Sequence, residues 1–171
     1  MRITALAIAA ACAAIVSGAT LAAGPVPDDR SIARGRYLAQ VGACNDCHTA
    51  NYIESNGNVP EGDWLTGTGM GWQGAWGTTY PANLRLTMAK LTEAQWMAQA
   101  RSPRRPPMPW FNLRDMSDDD LQAIYRYVTS LGPKGEPAPA YVPPGAAPKT
   151  PYIVFEPQNL PGTIASTRAG N

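Results

Sequence analysis

The chain has few of the side chains that most metal sites use, and it has no surplus of positive charge. Its 171 residues contain one histidine, His48, and three cysteines, Cys12, Cys44 and Cys47. A structural zinc site requires four nitrogen or sulfur ligands, so this set is too small unless carboxylates or a second chain contribute. The formal net charge of +1 provides no basic stripe of the kind that binds nucleic acid. The composition therefore disfavours both zinc-binding and nucleic-acid-binding functions.

The one long apolar run stands at the N-terminus and is too short for a membrane span. Arg2 precedes a largely apolar stretch over residues 3–16, and Thr20-Leu21-Ala22 offers small residues to a signal peptidase. A spanning helix needs about 20 apolar residues, which makes a retained anchor the weaker alternative. The pattern predicts a cleaved signal peptide over residues 1–23, export to the periplasm, and no membrane span in the mature chain.

Cleavage would change the cysteine count and the charge. It would remove Cys12, so that both remaining cysteines lie in one pentapeptide, and Arg2, leaving 13 basic residues against 13 acidic ones. An exported protein matures in an oxidising compartment, yet no further cysteine is available for a structural disulfide. We expect one domain over residues 24–133, which is long enough to bury a core. Residues 134–171 form a proline-rich tail, interpreted as extended or partly disordered, with residues 152–155 lying across the domain.

The pentapeptide Cys44-Asn45-Asp46-Cys47-His48 reads C-x-x-C-H. This is the attachment signature of haem c, in which two thiols form thioether bonds and the adjacent imidazole becomes the proximal iron ligand. A thioredoxin-like redox pair would be expected in a βαβ pattern, whereas the surrounding sequence is helical and glycine-rich. Because the signature occurs once, we predict one covalently bound haem c, held by Cys44, Cys47 and His48.

The second axial ligand of the iron is predicted to be a methionine. No second histidine exists, and methionine is the next common axial ligand. The candidates are Met70, Met88, Met97, Met108 and Met116. Met108 stands in Pro106-Pro107-Met108-Pro109, where the prolines restrict the backbone and lower the entropy lost on ordering. We predict Met108 as the ligand and Met88 as the runner-up. The alternative is an open or water-bound iron.

Helix signals dominate the rest of the domain. An amphipathic stretch over residues 32–42 leads into the pentapeptide. A capping box begins a helix at Thr92 that extends to Arg101. Ser117, followed by three aspartates, begins a helix that ends at Gly132. Residues 49–84 are rich in glycine and tryptophan and show neither a helical nor an alternating period, so they predict a long loop suited to an apolar planar ligand.

Taken together, these features resemble the class I monohaem c-type cytochromes of bacterial periplasms, including the modules that accept electrons from dehydrogenases. The resemblance covers residues 31–133. Its motifs are Gly35 and Tyr37 before the C-x-x-C-H, residues 77–84 (GTTYPANL), residues 107–111 (PMPWF) and residues 117–121 (SDDDL). It implies an all-α class I cytochrome c fold with a long Gly/Trp-rich loop and a Pro-rich C-terminal tail.

The resemblance also implies particular contacts. The N- and C-terminal helices would cross near Gly35, against Tyr125 or Tyr127, and the axial ligands would be His48 and Met108. The partners of the haem propionates would come from the set Tyr80, Asn83, Arg101 and Trp110.

The function expected from these features is electron transfer rather than catalysis. With both axial positions filled, no substrate reaches the iron, and the partners would be redox proteins: a donor dehydrogenase and an acceptor oxidase or cytochrome. Two alternatives remain open. One is a haem enzyme or gas-binding protein with an open sixth site, and the other is a fixed cytochrome subunit of a dehydrogenase or oxidase complex.

Overall fold

The structure is a computed structural model that describes residues 29–157. The predicted signal peptide, residues 1–23, and the end of the tail, residues 158–171, lie outside the described residues. The helices are α1 (Asp29–Val41), α2 (Cys44–His48), α3 (Leu84–Met88), α4 (Glu93–Ala100), α5 (Trp110–Asp115) and α6 (Asp118–Ser130). The strands are β1 (Gly71–Gly74), β2 (Gly77–Thr79) and β3 (Tyr152–Val154), and Glu61–Asp63 form a 3-10 turn. Between residues 29 and 157, no helix is long and apolar enough to cross a membrane.

Helices α1 and α6 form the centre of the fold by crossing at Gly35. A Cβ atom placed on Gly35 would lie 2.0 Å from the carbonyl oxygen of Ala123 and 2.7 Å from Cβ of Tyr127. Only glycine allows two helix backbones to approach this closely. The predicted crossing at Gly35 is confirmed, and the tyrosine in contact is Tyr127 rather than Tyr125.

The helix ends follow the signals read from the sequence. Thr92 and Gln95 form both hydrogen bonds of the predicted capping box at α4, and the Ser117 side chain accepts a hydrogen bond from the Asp120 amide at α6. Helix α4 packs on α6, where the Trp96 indole donates to the Leu121 carbonyl at 3.1 Å. The buried apolar core comprises Leu38, Ala39, Trp64, Leu65, Met88, Trp96, Ala100, Leu121, Ala123, Ile124, Tyr127 and Val128.

The chain is mostly helical, but a small sheet corrects the all-α expectation. Strands β1 and β2 form an antiparallel hairpin, and β3 pairs in parallel with β1, giving the order β2-β1-β3. Strands of three or four residues are too short for an alternating pattern to be recognised. Moreover, β3 comes from a proline-rich segment far from β1 in sequence. The glycine- and tryptophan-rich stretch therefore contains a hairpin where the sequence predicts only a loop.

The described part of the tail, residues 134–157, lies along the domain. Besides strand β3, it forms an antiparallel bridge in which Thr78 and Val142 exchange two backbone hydrogen bonds of 2.8 and 3.0 Å. The Asn83 amide group also donates to the carbonyl oxygens of Lys134 and Glu136, at 2.8 and 3.1 Å. The tail thus supplies a second layer over the segment that leads into α3.

Gly35→Ala tests the helix crossing. We expect the substitution to lower the free energy of unfolding by about 1–3 kcal/mol, because overpacking outweighs the roughly 1 kcal/mol that alanine gains in a helix. The matched control is Gly69→Ala, since a Cβ at Gly69 meets no atom within 4 Å. Urea denaturation of both purified variants gives the comparison, and equal stabilities would contradict the close crossing.

Candidate haem-binding site

The C-x-x-C-H pentapeptide forms helix α2, a single short helix that follows α1. Ala43 separates the two helices in the left-handed conformation, with φ of 58°, and turns the chain between them. Positions three apart on a helix lie on one face, so Cys44 and Cys47 present their thiols to the same side. Both thiols are free. Burial raises the pKa of the Cys44 thiol to about 11, which is opposite to the lowered pKa of a redox-active thiol.

His48 is buried and held in one orientation by a backbone carbonyl. Its Nδ1 atom lies 2.7 Å from the carbonyl oxygen of Ala82. A carbonyl can only accept, so Nδ1 carries the proton and Nε2 presents its lone pair. Burial lowers the pKa of His48, which favours the neutral imidazole that binds metals. The acceptor is 34 residues away in sequence, and no local pattern identifies it.

A buried hydrogen-bond chain, which the sequence does not reveal, attaches α2 to the following loop. The Thr49 hydroxyl donates to Oδ1 of Asn45 at 2.8 Å and accepts from the Leu65 amide, also at 2.8 Å. The Gly67 amide donates to the His48 carbonyl at 2.7 Å. Asn45 and Leu65 are fully buried. This chain fixes the helix that carries the thiols and the imidazole.

Met108 lies half-buried on the loop between α4 and α5. Its carbonyl accepts from the Trp110 amide at 2.8 Å. The hydroxyl of Thr79 donates to the Pro106 carbonyl at 2.8 Å, so this loop is bound two residues before Met108. Thr79 is three residues from Ala82, a distance of at most about 11 Å in an extended chain. One short segment therefore contacts both the Met108 loop and the His48 imidazole.

The other candidate methionines occupy different environments. Met88, the runner-up, is 1% exposed and belongs to the apolar core. Met97 and Met116 are partly buried against that core, whereas Met70 is 37% exposed.

Two of the four residues predicted to bind the propionates already form hydrogen bonds with other groups of the protein. Asn83 caps α3 through its side-chain oxygen and donates to the tail through its amide group. Arg101 donates to the carbonyl oxygens of Arg114 and Met116 and pairs with Asp118. Tyr80 accepts a hydrogen bond from Thr150 at 3.0 Å and retains its own hydroxyl proton for another acceptor.

The donor set fits a haem. Two free thiols and a fixed neutral imidazole stand together on α2. On the small sheet, the indole nitrogen of Trp72 and the hydroxyl of Thr78 are buried and have no hydrogen-bond partner among the described residues. Buried donors normally have partners, whereas each of these two lacks an acceptor within the part of the chain that the structure describes. Residues 29–157 contain no cluster of three His, Cys, Asp or Glu side chains that could hold a metal ion directly.

A cavity of about 380 Å³ lies beside the acceptor of His48. Ala82 is in its wall, helix α4 contributes Gln99, and the tail contributes Pro137 and Pro139. The remaining lining residues come mainly from the segment around α3. The tail therefore closes one side of a cavity that Ala82 also lines.

Comparison with known proteins gives a consistent result. The family model described as Cytochrome c matches residues 32–132. Over 129 residues the chain is 29% identical to the cytochrome c subunit of alcohol dehydrogenase (quinone) from Gluconacetobacter polyoxogenes, covering 69% of this chain and 25% of that protein. It is 30% identical over 121 residues to the gluconate 2-dehydrogenase cytochrome c subunit of Pantoea cypripedii, with coverages of 63% and 27%.

A third similar protein is a nicotinate dehydrogenase subunit from Pseudomonas putida. It is 30% identical over 118 residues, covering 63% of this chain and 9% of that protein. The chain thus spans about a quarter or less of the length of these curated relatives. No solved structure matches it.

Thr49→Val tests the buried chain that positions α2. Valine has the shape of threonine but leaves the Leu65 amide and Oδ1 of Asn45 without partners, each at a cost of about 1–3 kcal/mol. Thr49→Ser keeps the hydroxyl and serves as the control. Urea denaturation is expected to show a lower free energy of unfolding for the valine variant than for the serine variant. The reverse order would contradict the hydrogen-bond chain.

Proposed function

The chain belongs to the cytochrome c family of electron-transfer haem proteins, and we propose that it is a periplasmic electron carrier with one covalent haem c ligated by His48 and Met108. The observation that carries the proposal is the bond from His48 Nδ1 to the Ala82 carbonyl. It leaves Nε2 for the iron, one residue from the Cys47 thiol. A metal-ligating histidine usually donates its other ring N–H to an acceptor of this kind, which fixes the tautomer and the orientation of the ring.

Each residue of the site has a defined role in this proposal. Cys44 and Cys47 hold the haem covalently, and His48 supplies the neutral proximal ligand. The haem, when bound, supplies one-electron chemistry, while the protein sets the orientation and polarity around it. The hydroxyl of Tyr80 keeps its own proton and is suited to a propionate, whereas Asn83 and Arg101 already donate to other groups of the protein.

Met108 as the sixth ligand distinguishes a carrier from an enzyme. Pro107 and Pro109 restrict the backbone on both sides of Met108, and Thr79 holds the loop at Pro106. A thioether in this position would exclude substrate and gaseous ligands from the iron and would raise the reduction potential. An enzyme or gas-binding protein would instead keep that position open.

A fixed subunit of a dehydrogenase complex is the second candidate. It is favoured by the relatives, which are named as cytochrome c subunits of alcohol and gluconate dehydrogenases. In this case the electron donor is a dehydrogenase, and the acceptor is an oxidase or another cytochrome. The likeness extends over only about a quarter of each of those subunits. Co-purification with a dehydrogenase at low and high salt separates a permanent subunit from a transient partner.

The covalent cofactor and the signal peptide are tested by one mass measurement. Protein expressed from this sequence and purified from the periplasm is expected to have lost the mass of residues 1–23 and gained the mass of one haem. Cys44→Ser and Cys47→Ser each remove one thioether bond, and the double variant is expected to release all of its haem into acidified organic solvent. A wild-type mass without haem, or with the N-terminal segment retained, would contradict the corresponding part of the proposal.

Met108→Ala tests the sixth ligand. The ferric wild-type protein is expected to show the methionine–iron charge-transfer absorption and to bind cyanide slowly, because the thioether must first dissociate. The variant should lose this absorption and bind cyanide at least about tenfold faster, a change equivalent to 1.4 kcal/mol. Met70→Ala is the control, since Met70 is exposed. A wild-type protein that lacks the absorption and binds cyanide rapidly would support an open site instead.

A further inference from the structure

We propose that the C-terminal tail positions the Met108 loop, with Tyr141 and Arg105 as the positioning residues. This inference rests on the proposed role of Met108 as an axial ligand. It assigns a function to the proline-rich segment over residues 134–155, which lies beyond the part of the chain that the Cytochrome c family model matches.

The Met108 loop can form few backbone hydrogen bonds of its own. Residues 103–109 contain four prolines, which lack the amide hydrogen that a backbone uses to donate. The loop therefore depends on donors and side-chain contacts from other segments. Thr79 provides one such contact through its bond to the Pro106 carbonyl.

The tail provides the second contact, at the residue next to Pro106. The guanidinium carbon of Arg105 lies 4.0 Å from the centre of the Tyr141 ring, well within the range of a cation–π interaction. The Tyr141 hydroxyl donates to the Trp76 carbonyl at 2.8 Å, which fixes the ring beneath the guanidinium. Thr79 and Tyr141 thus hold adjacent residues of the loop, two and three positions before Met108.

The tail is itself fixed, so that it can resist movement of the loop. Thr78 and Val142 exchange two backbone hydrogen bonds next to Tyr141. Gly77 makes this approach possible: its φ is +92°, and a Cβ there would lie 2.4 Å from the Val142 carbonyl oxygen. Asn83 holds the beginning of the tail through the Lys134 carbonyl. The tail is therefore anchored on both sides of Tyr141.

The contact between Tyr141 and Arg105 lies at the surface, which separates positioning from general stability. Arg105 is exposed, and Tyr141 is 37% exposed. Neither belongs to the apolar core, so substitutions at these positions should leave the fold intact. Their effect should appear as more frequent dissociation of Met108 from the iron.

The experiment measures imidazole binding to the ferric holoprotein. Imidazole is a neutral probe that replaces a dissociated methionine, so removing a positive charge does not alter its approach. Arg105→Gln and Tyr141→Leu are each expected to increase the rate of binding about two- to fivefold, the change expected for losing an exposed cation–π contact. The double variant should bind imidazole no faster than Tyr141→Leu, since Arg105→Gln removes only the cation–π contact that Tyr141→Leu has already lost.

The matched control is Arg104→Gln. Arg104 is a neighbouring exposed arginine of the same loop, but it donates to the Gln99 carbonyl at the end of α4 rather than contacting the tail. The Arg104→Gln variant should bind imidazole at the wild-type rate. Urea denaturation of all variants checks that the changes in rate are not caused by global unfolding.

Two outcomes overturn the inference and are distinguishable from each other. If Arg105→Gln and Tyr141→Leu bind imidazole no faster than Arg104→Gln, while Met108→Ala loses the charge-transfer absorption, then Met108 is a ligand and the tail does not position it. If Met108→Ala leaves the wild-type spectrum unchanged, the proposed ligation fails, and the positioning role fails with it.

Discussion

The hydrogen bond between His48 Nδ1 and the Ala82 carbonyl joins helix α2 to the segment that leads into α3. Gly67 contacts both of these parts of the chain. The Gly67 amide donates to the His48 carbonyl, and a Cβ on Gly67 would lie 2.8 Å from the Asn83 amide nitrogen. With a φ of +77°, this position requires glycine for its conformation as well as for space. The imidazole is therefore oriented by backbone atoms that are packed too tightly to shift independently.

The same segment is connected to the helical core by a buried arginine. Arg85 on α3 is 6% exposed, and its guanidinium donates to the carbonyl oxygens of Gly62, Leu131 and Gly132. Burial lowers the pKa of Arg85, but an arginine stays charged at any physiological pH. Its charge lies against carbonyl groups at the C-terminal end of α6, where the helix dipole favours a cation. Residues 82–85 thus link the imidazole to the helix that crosses α1.

The features predictable from the sequence are those specified by local chemistry. A capping box at Thr92, an N-cap at Ser117 and the C-x-x-C-H on α2 each need only a few neighbouring residues, and Gly35 is recognisable as a glycine inside a helix. The His48 acceptor and the parallel pairing of β1 with β3 depend on residues 34 to about 80 positions apart. Such contacts arise from tertiary packing, because a three-residue strand has no intrinsic preference strong enough to reveal it.

The proline content explains why the sheet is needed beside the site. Both the Met108 loop and the tail are poor in amide donors, so the two segments cannot form a backbone ladder with each other. Strand β2 contacts both segments and supplies donors to each. The Thr78 amide donates to Val142 of the tail, and the Thr79 hydroxyl donates to Pro106 of the loop. Adjacent residues of one strand therefore donate hydrogen bonds to carbonyl groups of both proline-rich segments. A loop made stiff by proline can be held at a few carbonyl groups, because each fixed point constrains several residues of a chain with restricted dihedral angles.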